Sequence, residues 1–139
     1  MKYPLLIAAL LTTLAGSALA IGPKRIESAK KRAAEQGKLI AFVVERDYWD
    51  PNCPKCIAAV DNSNGAIDKA VPSGVVVIRI AESELKKGVI PDCVMTAGGM
   101  PRLVVTDAAC SKVVDAVDEK ADRARIKQLK EKVAAATTK

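Results

Sequence analysis

The sequence of 139 residues contains no histidine and few aromatic residues: one tryptophan, two tyrosines and one phenylalanine. A haem attachment motif requires histidine directly after a C-x-x-C pair, and Ile57 stands there instead, so this kind of site is excluded. The net charge is +6, because 22 lysine and arginine residues outnumber 16 acidic residues. The clusters of basic residues are not interleaved with aromatic residues. This pattern disfavours nucleic-acid binding and indicates a solvated basic face.

The sequence also lacks an apolar run long enough for a membrane span of roughly 20 residues. The run from Leu5 to Leu14 follows Lys2 and precedes small residues that end in Ala18-Leu19-Ala20. A charged start, a short apolar run and a small-residue cleavage site are typical of a secretory signal peptide. We predict that residues 1–20 are a cleaved signal and that residues 21–139 form one domain. The mature protein is then expected to be periplasmic or secreted, without stable membrane insertion.

All four cysteines follow the predicted signal, and two of them form the sequence Cys53-Pro54-Lys55-Cys56. Proline is favoured at the first helical position, so we expect Cys53 to open a helix. Free N–H groups and the dipole at a helix start favour a thiolate, which is the nucleophilic form of cysteine. Lys55 adds a cation to this environment. We interpret the pair as a dithiol/disulfide centre in which Cys53 attacks and Cys56 resolves.

Other interpretations of the cysteines remain open. An inert disulfide is the alternative for the C-x-x-C pair, although closing so short a loop stabilises a fold little. Cys93 and Cys110 do not form a second C-x-x-C, so a Cys₄ zinc site is disfavoured and no metal is expected. In an oxidising compartment these two cysteines are expected to form a structural disulfide. The other interpretation is a regulatory or relay pair, because they flank Pro101.

Hydrophobic patterning predicts an α/β domain. A helical pattern ends at Gly37, and apolar runs at 39–44 and 75–80 are typical of strands buried on both faces. The remaining predicted elements are a helix after Cys53 that is interrupted at 61–65, a short helix at 83–87, a loop at 88–100, a strand hairpin at 103–114 and a terminal helix at 118–133. A helical crossover implies that the first two strands are parallel, while the last two should be antiparallel.

This order, with C-x-x-C after the first strand and Met100-Pro101 before the hairpin, resembles the thioredoxin-like fold over residues 23–133. The resemblance implies a three-layer sandwich: a central mixed sheet with helices on both faces. It also implies that Pro101 is cis and lies against the sulfurs. Asp47 and Trp49 match the Asp-x-Trp pattern of thioredoxins, so Asp47 is implied as a proton relay for Cys56. Asn52 departs from the family, which usually has tryptophan directly before the first cysteine.

The resemblance further implies an exported thiol–disulfide oxidoreductase that acts on protein disulfides. Cys53 would form a mixed disulfide with the substrate, and Cys56 would resolve it. Partners would be protein thiol or disulfide substrates and a redox protein, and no cofactor is expected. Oxidant, reductant and isomerase share this layout. The alternative is a non-catalytic binding module of the same fold with static disulfides.

Several residues near the cysteines in the expected fold are candidates to contact the substrate. Pro101 and the Met100 backbone would present the substrate strand, and the other candidates are Trp49, Pro54 and Lys55. Tyr48 and Trp49 have a second interpretation, in which they cover the end of the core. Asp50-Pro51-Asn52 is expected to form a turn, with Asp50 opposing the charge of a thiolate nearby.

Overall fold

The computed structural model describes residues 22–137, and the predicted signal peptide lies outside them. One mixed sheet has the strand order β2-β1-β3-β4. β1 is parallel to β2 and β3 is antiparallel to β4, as predicted, and β1 also pairs antiparallel with β3. In chain order the elements are α1 (Pro23–Gln36), β1 (Ile40–Glu45), α2 (Pro54–Ala70), β2 (Val76–Ala81), a 3₁₀ turn (Glu82–Glu84), α3 (Asp92–Met95), β3 (Arg102–Thr106), β4 (Val113–Asp118) and α4 (Arg123–Thr137). None of the helices within residues 22–137 has both the length and the apolar character that crossing a membrane requires.

Helices cover both faces of the sheet. Side chains alternate along a strand, so β1 contributes Ile40 and Phe42 to one face and Ala41 and Val43 to the other. The first face packs on α1, and the second packs on α2 and α4. The predicted three-layer α/β sandwich is therefore confirmed.

The second strand differs from its prediction. The apolar run at 75–80 indicated a strand buried on both faces, but β2 is at the edge of the sheet and its side chains alternate between buried and exposed. Val77 and Arg79 lie on the exposed side. Arg79 forms ion pairs with Glu45 at 2.7 Å and with Asp68 at 2.6 Å. An edge position explains why this strand tolerates a charged residue.

Several helices also differ from the prediction. The short helix expected at 83–87 is a 3₁₀ turn at Glu82–Glu84, and α3 lies within the segment expected to be a loop at 88–100. α2 is continuous through residues 61–65, because Ile67 and Ala70 further along anchor it in the core. α4 begins at Arg123 rather than at 118, since residues 113–118 complete β4. The Asp122 side chain accepts a hydrogen bond from the Arg125 N–H at 2.8 Å, which caps the start of α4.

Candidate active site

The first turn of α2 positions the C-x-x-C pair. Cys53 is the N-cap residue with an extended backbone, and Pro54 is at the first helical position, as expected. Cys53 and Cys56 form a disulfide with their Cα atoms 5.2 Å apart. The Cys53 Sγ also accepts a hydrogen bond from the Cys56 N–H at 3.3 Å. The sulfur thus faces a helix N–H group that favours negative charge.

The surface around the disulfide is accessible. Both cysteines are partly buried, whereas Pro54 and Lys55 between them are exposed. Tyr48 and Trp49 on the preceding loop are 50% and 60% exposed. Their exposure favours the docking interpretation over the one in which they cover the end of the core.

Tyr48 ties this loop to α2. Its hydroxyl donates a hydrogen bond to Asp61 Oδ1 at 2.6 Å. That hydrogen bond is the largest cause that raises the pKa of Tyr48, and the negative charge of Asp61 adds to it. The aromatic ring is therefore fixed at the surface beside the helix that carries the cysteines.

Asp50 brings a carboxylate to the disulfide. One of its oxygens and the sulfurs of Cys53 and Cys56 all lie within 4.8 Å of one another. Asp50 Oδ1 accepts a hydrogen bond from the Asn52 N–H at 2.9 Å, so the expected turn is present and holds the carboxylate in place. Within residues 22–137 no other group of three acidic or cysteine residues comes so close. The sulfurs could ligate a metal only as thiolates, that is, after reduction.

Asp47, the residue implied as a proton relay, has a different observed contact. It is half-buried, and its Oδ2 accepts a hydrogen bond from the Ser83 N–H at 2.9 Å. Ser83 belongs to the 3₁₀ turn after β2, so Asp47 links the loop after β1 to that turn. In the described part of the chain no hydrogen bond joins Asp47 to Cys56. The relay role of Asp47 stays a prediction.

Arg46 connects α2 to the loop between α3 and β3, residues 96–101, which we call the proline loop. Its guanidinium donates a hydrogen bond to the Met100 carbonyl at 2.7 Å. The Arg46 backbone is held by Asn64 through two hydrogen bonds, from Arg46 N–H to Asn64 Oδ1 at 2.9 Å and from Asn64 Nδ2 to Arg46 O at 3.1 Å. The Met100–Pro101 peptide bond is cis, as implied by the resemblance, and Pro101 is buried.

Arg102 organises the rest of that loop. Its side chain is buried and hydrogen-bonds the carbonyls of Val94, Met95 and Gly98 at 2.7–3.1 Å. It also donates to the Met100 Sδ at 3.2 Å. Burial lowers the pKa of the guanidinium. This one side chain satisfies carbonyl groups at the end of α3 and in the loop before β3.

Cys93 and Cys110 are neighbours but are not bonded to each other. Both are free, partly buried thiols, and the Cys93 Sγ lies 3.9 Å from the Cys110 carbonyl oxygen. Burial is the largest cause that raises the pKa of both thiols. They are therefore mostly uncharged and weakly nucleophilic at neutral pH. A disulfide between them stays a prediction.

The sequence analysis missed Arg46, Asn64 and Arg102, and it treated Asp50 only as a turn residue and a nearby charge. Each of these side chains acts through a contact with a specific partner. A charged residue directly after an apolar strand, as at Arg46, is a weak signal for such a role. Nothing in the spacing identifies the partner.

The comparisons with known proteins find similar chains among solved structures. No protein-family model matches the chain, and no curated protein matches it. A solved structure described as "DsbH Oxidoreductase" is similar with a TM-score of 0.49 and 15% sequence identity, over 78% of this chain and 81% of that chain. The strand order, the C-x-x-C pair at the start of α2 and the proline before β3 give this chain a thioredoxin-like fold.

Proposed function

We propose that this protein is an exported thiol–disulfide oxidoreductase that acts on protein disulfides through Cys53 and Cys56. The observation that supports it most is the position of the pair, with Cys53 as the N-cap of a helix of 17 residues. A helix of this length has a full dipole and free N–H groups at its start. A Cys53 thiolate formed by reduction is stabilised there and attacks disulfides near neutral pH.

The exchange proceeds in two balanced steps. The Cys53 thiolate attacks one sulfur of the substrate disulfide, which forms the mixed disulfide and releases the first substrate thiolate. Cys56 then loses its proton and attacks the Cys53 sulfur, which re-forms the Cys53–Cys56 bond and releases the second substrate thiolate. The substrate is reduced by two electrons and the protein is oxidised by two. The reverse sequence oxidises a substrate dithiol.

The surroundings of the sulfurs suit an extended protein segment. Met100 precedes β3, and its carbonyl is occupied by Arg46. Among residues 22–137 its N–H has no hydrogen-bond partner, so it is free to pair with a substrate backbone. Trp49 offers exposed apolar area on the loop before the disulfide, and Pro54 and Lys55 are exposed between the two cysteines in the sequence.

The location and partners of the protein belong to the same proposal. Export rests on the signal-like sequence of residues 1–20. An oxidising compartment supplies substrates with disulfides, and a second redox protein must exchange electrons with the pair after each turnover. No cofactor is required by this chemistry.

Trapping of mixed disulfides tests the proposal. In Cys56→Ser the resolving thiol is missing, so the attack by Cys53 should accumulate covalent complexes with disulfide-containing proteins. Cys53→Ser is the matched control and should trap none. The complexes would be separated by non-reducing electrophoresis and should disappear on reduction. If both variants trap equally little, the pair does not exchange, and the binding-module alternative replaces the proposal.

A further inference from the structure

The geometry points to Asp50 as the group that takes the proton from Cys56 during resolution of the mixed disulfide, an inference that rests on the proposed function. We infer this from the distance of at most 4.8 Å between an Asp50 carboxylate oxygen and each of the sulfurs of Cys53 and Cys56. Asp47, which the family resemblance implied, instead accepts a hydrogen bond from the Ser83 N–H at 2.9 Å.

The carboxylate is held in position by its own turn. Asp50 Oδ1 accepts the Asn52 N–H at 2.9 Å, and the Asp50 carbonyl accepts the Cys53 N–H at 3.3 Å. The backbone that carries the acid is thus bonded directly to the residue that carries the nucleophile. An exposed acid on a free loop would have no such fixed relation to the sulfurs. A base acts efficiently when it is already within reach of the proton that it removes.

The proton balance is simple. The Cys56 thiol gives its proton to the Asp50 carboxylate, and the Cys56 sulfur attacks Cys53 as a thiolate. The substrate sulfur leaves as a thiolate and is protonated by Asp50 or by water. The carboxylate is then regenerated, so one acid serves every cycle without a further reactant. The same negative charge opposes a thiolate on Cys53, so Asp50 should slow the first attack while it speeds the second.

The substitution Asp50→Asn distinguishes the acid–base role of this side chain from its role in holding the turn. Asparagine has nearly the same shape, and its side-chain oxygen can still accept the Asn52 N–H, so the turn is retained. Only the negative charge and the ability to take a proton are lost. Asp50→Glu keeps the acid but changes its reach. Glu35→Gln removes an equal charge from the exposed surface of α1, on the other face of the sheet, and is the matched control.

The experiment mixes fully reduced protein with one equivalent of a chromogenic aromatic disulfide and follows release of the aromatic thiol over a range of pH. The first phase reports attack by Cys53, and the second reports resolution by Cys56. A parallel series in a Cys93→Ser/Cys110→Ser background removes any contribution from the other thiols. Cys56→Ser identifies the second phase, because it must lack it.

In Asp50→Asn we expect the second phase to slow by about tenfold at neutral pH, below the usual range of general acid–base effects because the acid is exposed. The difference should close above about pH 9, where the Cys56 thiol ionises unaided. The first phase should be unchanged or faster, whereas a folding defect would slow both phases. Asp50→Glu should recover part of the rate, and Glu35→Gln should match the unaltered protein.

An unchanged second phase in Asp50→Asn at every pH would overturn the inference while leaving the proposed function intact. A slow second phase in Asp47→Asn instead would assign the relay to the residue that the family resemblance implied, and would also overturn it. If the unaltered protein shows no second phase at all, the proposed function fails, and the role of Asp50 fails with it.

Discussion

Arg102 joins β3 to the end of α3 and to the loop before β3. Its buried guanidinium is the partner of three carbonyl groups, those of Val94, Met95 and Gly98. Arginine is suited to this place because its planar fork donates in several directions at once. Loss of the side chain would leave the buried Val94 carbonyl without a partner and would remove the hydrogen bonds to partly buried Met95 and exposed Gly98.

We therefore expect Arg102→Ala to lower the free energy of unfolding by about 2–3 kcal/mol, since the unsatisfied buried Val94 carbonyl costs about 1–3 kcal/mol and the other lost hydrogen bonds add to it. Arg102→Lys should recover only part of this loss, because one ammonium group cannot reach all the carbonyls. Urea unfolding monitored by circular dichroism measures both variants. Equal stability of Arg102→Ala and the unaltered protein would contradict the described contacts.

A second prediction concerns pH. Arg125 donates to both carboxylate oxygens of buried Asp115, at 2.7 and 2.5 Å, and these hydrogen bonds are the largest cause that lowers the pKa of Asp115. A lowered folded-state pKa adds stability above the unfolded value of about 3.9, and this stability is lost as the pH falls through the folded value.

Arg125→Ala should therefore cost about 1–2 kcal/mol at neutral pH, a modest figure because Arg125 is partly exposed. The difference from the unaltered protein should shrink as the pH falls below about 4. Arg123→Ala, an exposed position on the same helix, should change little. Urea unfolding between acidic and neutral pH tests this, and a difference that grows on acidification would contradict the assigned ion pair.

At the residue scale, the sequence predicted the close pair of Cys53 and Cys56 at the start of a helix, but not the side chains that surround it. Cys53 and Pro54 follow local rules for the start of a helix, which depend on neighbouring residues only. Arg102 and Arg46 act on carbonyl groups whose positions depend on the tertiary structure. Asp50 reaches the sulfurs because its turn and the helix start have one particular relative geometry. Spacing in the sequence contains none of this information.

At the scale of elements, α2 shows why local propensity can mislead. The sequence from Asp61 to Gly65 is poor in strong helix formers, yet the helix runs through it. Asn64 uses its amide to hold the Arg46 backbone, so this polar residue contributes a tertiary contact. Core contacts of Ile67 and Ala70 compensate for the weak segment.

Gly65 offers a direct test of helix continuity. A Cβ atom added there would meet nothing within 4 Å, and the backbone is helical. We expect Gly65→Ala to stabilise the protein by about 0.5–1 kcal/mol, because alanine is the better helix former. Gly37→Ala is the contrast: Gly37 has φ 62° at the end of α1, so its replacement should cost about 1 kcal/mol. Thermal or urea unfolding gives both values, and destabilisation by Gly65→Ala would indicate a broken helix.

Asn64 gives the second test at this scale. Asn64→Ala removes two hydrogen bonds to Arg46 and should cost about 1–2 kcal/mol. Asn62→Ala, at an exposed position in the same stretch, should stay within about 0.5 kcal/mol of the unaltered protein. The comparison by urea unfolding is informative because both changes raise helix propensity equally. Similar effects of the two would remove the assigned role of Asn64.

At the scale of the whole molecule, the sequence predicted the chain order of the helices and strands, the parallel direction of the first two strands and the antiparallel direction of the last two. Alternating helices and strands are compatible with few chain topologies. Crossovers between parallel strands are nearly always right-handed, and short connections join antiparallel strands into hairpins. The edge position of β2 was not predicted, since the run at 75–80 is nearly as apolar as that of β1. Which strand is at the edge depends on where β3 inserts, and a single apolar run does not specify this.

The fold brings the sulfurs, the proline loop and an acid to one end of the sheet. Cys93 in α3 and Cys110 in the connection between β3 and β4 are neutral, partly buried thiols. The account therefore predicts that the two cysteine pairs behave differently in the folded protein. The Cys53–Cys56 pair should exchange with small thiols, and the other two cysteines should react slowly.

A glutathione redox titration of the folded protein tests this central claim, with the state of each cysteine determined by alkylation and mass spectrometry. We expect Cys53 and Cys56 to change state together as a two-electron couple at a potential that glutathione reaches, while the fold persists. A Cys53–Cys56 bond that resists reduction until the protein unfolds would contradict the account and would make this disulfide a structural one.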